Sequence, residues 1–407
     1  MVFRLRVAGY ILLLASMLAC SGNPGNPVRM ATTPTVLIES PDPGLDSLGT
    51  YIKGFADREE VPGIGLLLAR RGQIIFWEAY GFADVDFEKP FRKDTIVFLA
   101  SSTKPLTTTA IMTLVDDGRL SLDDTVSKYL PGFDQLRYEN GQPAPSPTIR
   151  QLLSHTSGWA GLREMSPDAT MAIRDNELTL KESAAKISRE KLLAKPGTRF
   201  SYGGLSYNVA GRVAEVVSGK TFDVLIQEKV FKPLKMTDTT FRPTPLQGER
   251  IAGIFKPAPW GGQLNLFRFN PGKDRTLLLI GGGLYSTARD MATFLQMHLN
   301  GGQYGSTRIL SEKAIAEMQK HQIGDAKLGF VPLETVTSYG LGWIRDSQID
   351  EQTARRVSHS GAFGSVAWID KDRDLVGVLF TPMPLRVAHP IHEKIRARIR
   401  DIIPPGK

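Results

Sequence analysis

Ser101 and Lys104 stand three residues apart, where the apolar run FLAS gives way to a helical pattern. Ile111, Leu114 and Val115 recur at three- and four-residue spacing, which predicts a buried amphipathic helix stopping near Gly118. Ser101 then falls at or near the helix N-terminus, where unpaired backbone N–H groups favour negative charge. Residues three apart share a helix face, so the lysine amine can reach the serine hydroxyl. A serine is a poor nucleophile until a base takes its proton, and a desolvated lysine with a lowered pKa is one such base. The spacing alone is weak, because Ser183 and Ser188 also precede a lysine by three residues. Those two lie in KESAAKISREK, a charged stretch that reads as a solvated helix face.

The elements that must position such a pair are legible at both ends of the chain. Leu45, Leu48, Ile52 and Phe55 mark a helix, and GIGLLLARRGQIIFWEAYGFAD gives two apolar runs around Arg70-Arg71-Gly72, a β-hairpin. SVAWIDKDRDLVGVLFT has the same form, with its turn at Asp370 to Asp374. Ile391, Ile395 and Ile399 then make an amphipathic terminal helix whose polar face, with Lys394, Arg396, Arg398 and Arg400, is expected to be solvated. The fold class expected is α+β: an antiparallel sheet built from both chain ends, flanked by helices, with a mostly helical insertion. The expected domain covers residues 46–403, its α/β part 46–100 and 280–403 and its helical part 101–279.

At 407 residues, with 42% hydrophobic and 23% charged residues, the composition is that of a globular protein of one large domain or two. Arg4 and Arg6 precede a short apolar run from Ala8 to Ala19, so residues 1–19 are expected to be a signal peptide. That segment ends in MLAC, and Cys20 is the chain's single cysteine. The expectation is a lipoprotein-type signal with lipidation at Cys20, hence a membrane partner and a periplasmic location; an ordinary signal cut nearby is the alternative. Residues 20–45, rich in Pro, Gly, Ser and Thr, read as a flexible linker. The net charge of +8 is spread out, with no aromatic and basic interleaving, so no nucleic-acid partner is expected.

Several other motifs lead nowhere. Ser218-Gly219-Lys220-Thr221 lacks the first glycine and the preceding strand of a phosphate-binding loop. His389 and His392 lack a third ligand, so no metal is expected. There is no Gly-x-Ser-x-Gly elbow. His155, in TIRQLLSHTSGW, reads by itself as the structural end of a short helix. The stretch Leu246 to Leu279, with Trp260, Phe267 and Phe269, is expected to form a loop over the site that selects bulky groups.

Six motifs in order carry a resemblance: FLASSTK at 98–104, LLSHTSG at 152–158, PGTRFSY at 196–202, GGLYSTARDMATF at 282–294, YGLGW at 339–343 and HSGAFGS at 359–365. The chain resembles the serine β-lactamase and penicillin-binding-protein superfamily, in the branch of class C β-lactamases, related esterases, D-aminopeptidases and DD-carboxypeptidases. The resemblance implies that Ser101 is the acylated nucleophile, Lys104 its base or electrostatic partner, and Tyr202 the proton relay. It implies His359 in place of the lysine of Lys-Thr-Gly, with Ser360 and Gly361 beside it as substrate-binding residues. It implies an oxyanion hole from the backbone N–H groups of Ser101 and Ala362, and no cofactor.

Two departures narrow the function. Gly204 stands where the family commonly has asparagine, and His359 would carry only a weak, pH-dependent positive charge. Both weaken the grip on the amide and carboxylate of a β-lactam. The function expected is a secreted serine hydrolase acting through an acyl-enzyme on carboxylic esters or D-amino-acid amides. The alternatives are a DD-peptidase or weak β-lactamase acting on peptidoglycan-like peptides and, from another class, a non-catalytic penicillin-binding or sensor domain. Neither the oligomeric state nor the choice of Lys104 or Tyr202 as acylation base follows from the sequence.

Overall fold

Eight strands form the principal sheet: β1 (Ile38–Glu39), β2 (Gly63–Arg70), β3 (Gln73–Asp84), β4 (Lys89–Pro90), β5 (Ile344–Arg345), β6 (Arg356–Ser360), β7 (Ser365–Asp370) and β8 (Leu375–Phe380). They run in the order β1-β3-β2-β8-β7-β6-β5, with β4 on the far part of β3. The computed structural model describes residues 36–259, 261–270, 276–331, 336–345 and 354–406; the expected signal peptide, Cys20 and Trp260 lie outside them.

The two chain ends meet at the centre of this sheet, where β2 pairs antiparallel with β8 from Gly65↔Phe380 to Arg70↔Leu375. Each of the two has a hairpin neighbour. In the turn between β2 and β3, Arg71 and Gly72 both have positive φ, 52° and 77°, which gives the tight turn that matches strand twist. Between β7 and β8, the Asp370 side chain accepts from the Arg373 N–H and Asp374 takes a φ of 49°.

Successive side chains of a strand point to opposite faces. On β2, Ile64, Leu66 and Leu68 join one core with Val366, Trp368, Leu375 and Leu379, while Leu67 and Ala69 join the other with Ile369, Val376 and Val378. The first core is covered by α1 (Asp46–Asp57) and α6 (Leu385–Ile402), and Ile391, Ile395 and Ile399 are its buried stripe. The second is covered by α5 (Ala288–Leu299) and the helical region. Burial on both faces is why β2 reads as a continuous apolar run. Opposite Trp368 on β8 stands Gly377, where a Cβ would fall 2.0 Å from the indole.

The helical region contains α2 (Lys104–Asp116), α3 (Ile149–Leu153) and α4 (Leu205–Ser218), together with shorter helices. Three expectations need correction. Helix α2 is not amphipathic: every residue from Lys104 to Leu114 is buried. Its threonines tolerate this because Thr107, Thr109 and Thr113 donate their hydroxyls back to carbonyls of their own helix or the turn before it. The fold begins before residue 46, since the Ile38 N–H donates to the Gly72 carbonyl at 3.0 Å and β1 pairs in parallel with β3. Within the stretch expected to be a loop, Ile254–Pro257 and Gln263–Phe267 form an antiparallel hairpin.

Candidate active site

The chain enters the site through Ala100, a non-glycine residue held at φ 45°. A short 3-10 turn, Ala100–Thr103, carries Ser101 and runs directly into α2, so the serine lies at a helix N-terminus, as its spacing predicts. Two buried hydroxyls fix this turn against the sheet. Ser365 Oγ donates to the Leu99 carbonyl at 2.7 Å and lies 2.9 Å from Ser102 Oγ, which reaches the His359 carbonyl at 3.2 Å. Gly361 completes the seam, because a Cβ there would meet the Leu99 carbonyl oxygen at 2.0 Å. Backbone contact this close brings the turn that carries Ala362 against the turn that carries Ser101.

Lys104 is 3% exposed, and its amine lies 3.3 Å from Ser101 Oγ and 2.7 Å from the Gly281 carbonyl. The rings of Tyr202 and Tyr207 stand 4.5 and 5.3 Å from it. Burial removes water from the ammonium and pulls its pKa from 10.5 down to about 7. The tight Gly281-Gly282-Gly283 stretch therefore supplies an acceptor for Lys104, and a Cβ at Gly281 would stand 3.4 Å from the amine.

Tyr202 is held through its backbone, donating to the Phe330 carbonyl at 2.8 Å and accepting from Leu162 at 2.9 Å. Its ring is 1% exposed, and burial pushes the phenol up from 10. Ser101 pulls weakly the other way, yet the hydroxyl makes no hydrogen bond of ordinary geometry, so the two groups are near neighbours rather than bonded partners. Behind it lies His155, its ring centre 4.4 Å from that of Tyr202 and its Nδ1 accepting the Gly203 N–H at 3.3 Å. Burial drives His155 well below its ordinary pKa, and it is neutral. Sequence reasoning read His155 only as a helix end; its place after α3 in LLSHTSG was the available signal.

His359 is likewise buried, and its Nε2 lies 3.1 Å from the Tyr339 hydroxyl. Desolvation first, and Lys104 second, bring its pKa down to about 3. The imidazole therefore carries no charge at neutral pH, which corrects the expectation of a pH-dependent cation. Tyr339, the first residue of YGLGW, is the partner, and no local sequence pattern marks that pairing.

Ser360 points to the opposite face of β6 from His359, into a separate cavity beside α6. Gly204 is the N-cap of α4 and offers no side chain; a Cβ there would press on Ile173 Cδ1 at 2.9 Å. The structure thus brings Ser101, Lys104, Tyr202, His359 and Gly361 together, and turns the Ser360 side chain away. Beside them runs an aromatic row in which Phe269, Tyr285, Phe98 and Phe363 are spaced 5.6, 5.0 and 5.8 Å apart between ring centres.

A buried lysine with a lowered pKa beside a serine, on this frame, defines a serine hydrolase. Residues 48–386 match the Beta-lactamase family, and the chain belongs to it. The chain is similar to a putative D-alanyl-D-alanine carboxypeptidase of Escherichia coli (strain K12), with 24% identity over 92% of this chain and 90% of that protein. Among solved structures it is similar to a putative β-lactamase from Bacteroides dorei DSM 17855, with 30% identity, a TM-score of 0.66, and 89% and 100% of the two chains covered. It shares its fold with EstCE1, a hydrolase with promiscuous acyltransferase activity, with 24% identity, a TM-score of 0.73, and 88% and 98% covered.

Proposed function

We propose that this protein hydrolyses uncharged carboxylic esters, or small D-amino-acid amides, through an acyl-enzyme on Ser101. The observation that carries the reading is the Lys104 amine at 3.3 Å from Ser101 Oγ with a pKa near 7. A large share of Lys104 is then a free amine at neutral pH, able to take the serine proton as Oγ bonds to the substrate carbonyl carbon. Tyr202, whose phenol stays protonated, serves better as donor to the departing alkoxide or amine than as first base. The N–H groups of Ser101 and Ala362 hold the developing oxyanion. Lys104 passes the serine proton on to Tyr202 once the phenol has given its own to the leaving group. Water then attacks the acyl carbon while giving a proton to the Lys104 amine, and Ser101 Oγ leaves and takes that proton back.

Two features support uncharged substrates. His359 is neutral and already engaged by Tyr339, so it gives a substrate carboxylate no counter-charge. The aromatic row ends at Phe363, next to Ala362, and suits an apolar acyl chain. The second reading, a DD-carboxypeptidase, is favoured by the E. coli relative's name. The apolar leader ending at Cys20 supports action outside the cytoplasm at a membrane surface. Turnover of p-nitrophenyl acetate and butyrate beside nitrocefin and a D-alanyl-D-alanine peptide separates the readings. Dominant release of D-alanine would replace the esterase reading with the peptidase one.

A further inference from the structure

We infer that Tyr339 is a specificity-determining residue: its hydroxyl occupies the one nitrogen of His359 that could meet a carboxylate on the leaving group. This role rests on the esterase reading of the site and names the residue that bars charged substrates from it.

His359 Nδ1 lies 3.1 Å from the Ser360 carbonyl, which can only accept, so Nδ1 carries the single ring proton of the neutral imidazole. Nε2 is then an acceptor, and the Tyr339 hydroxyl at 3.1 Å donates to it. Both nitrogens are taken. A donor on Nε2 favours the neutral ring and opposes its protonation. Tyr207 is the other phenol within hydrogen-bond reach of Tyr339, but it already has the Thr108 hydroxyl and the Leu153 carbonyl, each at 3.3 Å. Burial pushes the Tyr339 phenol well above its ordinary pKa, so it keeps the proton it donates.

The donor is held from several sides. Tyr339 is fully buried, its carbonyl accepts the Gln322 N–H at 2.9 Å, and its ring stands 5.2 and 5.5 Å from those of His155 and Phe200. On another side of the imidazole lies Tyr202, 6.1 Å away between ring centres, the proposed proton donor to the leaving group. His359 therefore flanks the leaving group, where a carboxylate would call for a charged imidazole. The titratable and charged groups around His359 are Lys104, His155, Tyr202 and Tyr339. Arg345, on the neighbouring β5, is turned to the Gln319 carbonyl and the Ser338 hydroxyl.

The test compares the full chain with Tyr339→Phe, which keeps the ring and loses the hydroxyl. The butyrate esters of 3-hydroxybenzoate and of its methyl ester differ only in a leaving-group carboxylate. In the parent, the ratio of kcat/KM for the charged ester to that for the neutral one is expected to be low and flat with pH. In Y339F it should rise several-fold as pH falls from about 8 to 5, because His359 can then take up a proton against the carboxylate. Protonation of Lys104 slows both esters alike and cancels in the ratio. Nitrogen NMR of the histidine rings, with His359 assigned by its absence in His359→Gln, gives a second readout. The parent should show a proton on Nδ1 and none on Nε2, and Y339F should protonate Nε2 at higher pH than the parent. A ratio unmoved by Y339F, or a parent His359 with its proton on Nε2, would overturn the role of Tyr339. Absence of Ser101-dependent turnover of either ester would instead remove the esterase reading, and the NMR comparison alone would then decide whether Tyr339 holds His359 neutral.

Discussion

The Lys104 amine lies 3.3 Å from the Ser101 hydroxyl and is held there by the Gly281 carbonyl rather than by a carboxylate. Burial then acts without opposition on the ammonium, and the pKa falls to about 7. Ester turnover should rise with pH through a single basic limb centred near 7 and then level off. His359 and His155, both driven well below their ordinary values by burial, should add no inflection between pH 5 and 8. A kcat/KM profile for a neutral ester measures this, and a bell falling above pH 8 would contradict it.

The same desolvation costs stability. The folded Lys104 binds fewer protons than the unfolded one between about pH 7 and 10.5, so its penalty is complete below pH 7 and fades as pH rises. Lys104→Met should abolish turnover and still unfold at higher denaturant than the parent at pH 6. Its advantage should shrink by roughly 1.4 kcal/mol per pH unit across that window. Urea titrations at pH 6 and 9.5 give the comparison; an advantage that does not change with pH would show that Lys104 is not desolvated.

Tyr202→Phe keeps the buried ring and removes only the hydroxyl. It should lower kcat by about 10²–10⁴ with little change in KM, as expected for loss of a proton donor. Equal activity of the two proteins would remove Tyr202 from the proposed mechanism.

Replacing His155 with Phe preserves the aromatic packing around Tyr202 but leaves the Gly203 N–H without its acceptor. A loss of about 1–3 kcal/mol in stability is expected from a buried donor left unpaired. Asparagine, which can accept that bond, should recover part of kcat where Phe does not. Two variants with identical kcat and stability would mean that the contact is packing alone.

The aromatic row makes a specificity prediction. Phe363→Ala should lower kcat/KM for p-nitrophenyl butyrate more than for acetate, by several-fold, because an apolar wall discriminates in proportion to the area it covers. An unchanged butyrate-to-acetate ratio would remove Phe363 from the acyl pocket.

Much of this was legible because local pattern and tertiary role agree. The two hairpins announced themselves through apolar runs around Arg71-Gly72 and Asp370 to Asp374, and the Ile391, Ile395 and Ile399 stripe marked the covering helix. Ser101 and Lys104 were legible because one turn of helix fixes their separation. What was hidden depends on partners distant in sequence. The loss of charge on His359 needs its burial against Tyr339, and the shielding of Arg396 and Arg400 needs the β6 edge beside α6. Helix α2 looked amphipathic because its threonines are polar by type, yet Thr107, Thr109 and Thr113 donate to nearby backbone carbonyls and Thr108 meets the Tyr207 hydroxyl. The early start of the sheet at Ile38 was masked by the Pro-rich composition around it.

The most direct test of an acyl-enzyme on Ser101 is to treat the parent and Ser101→Ala with a fluorophosphonate and locate the adduct by peptide mass spectrometry, beside p-nitrophenyl butyrate turnover. One adduct on Ser101, with both labelling and turnover lost in the variant, is the result expected. Labelling at another residue, or turnover that survives in S101A, would contradict the assignment of Ser101 as nucleophile.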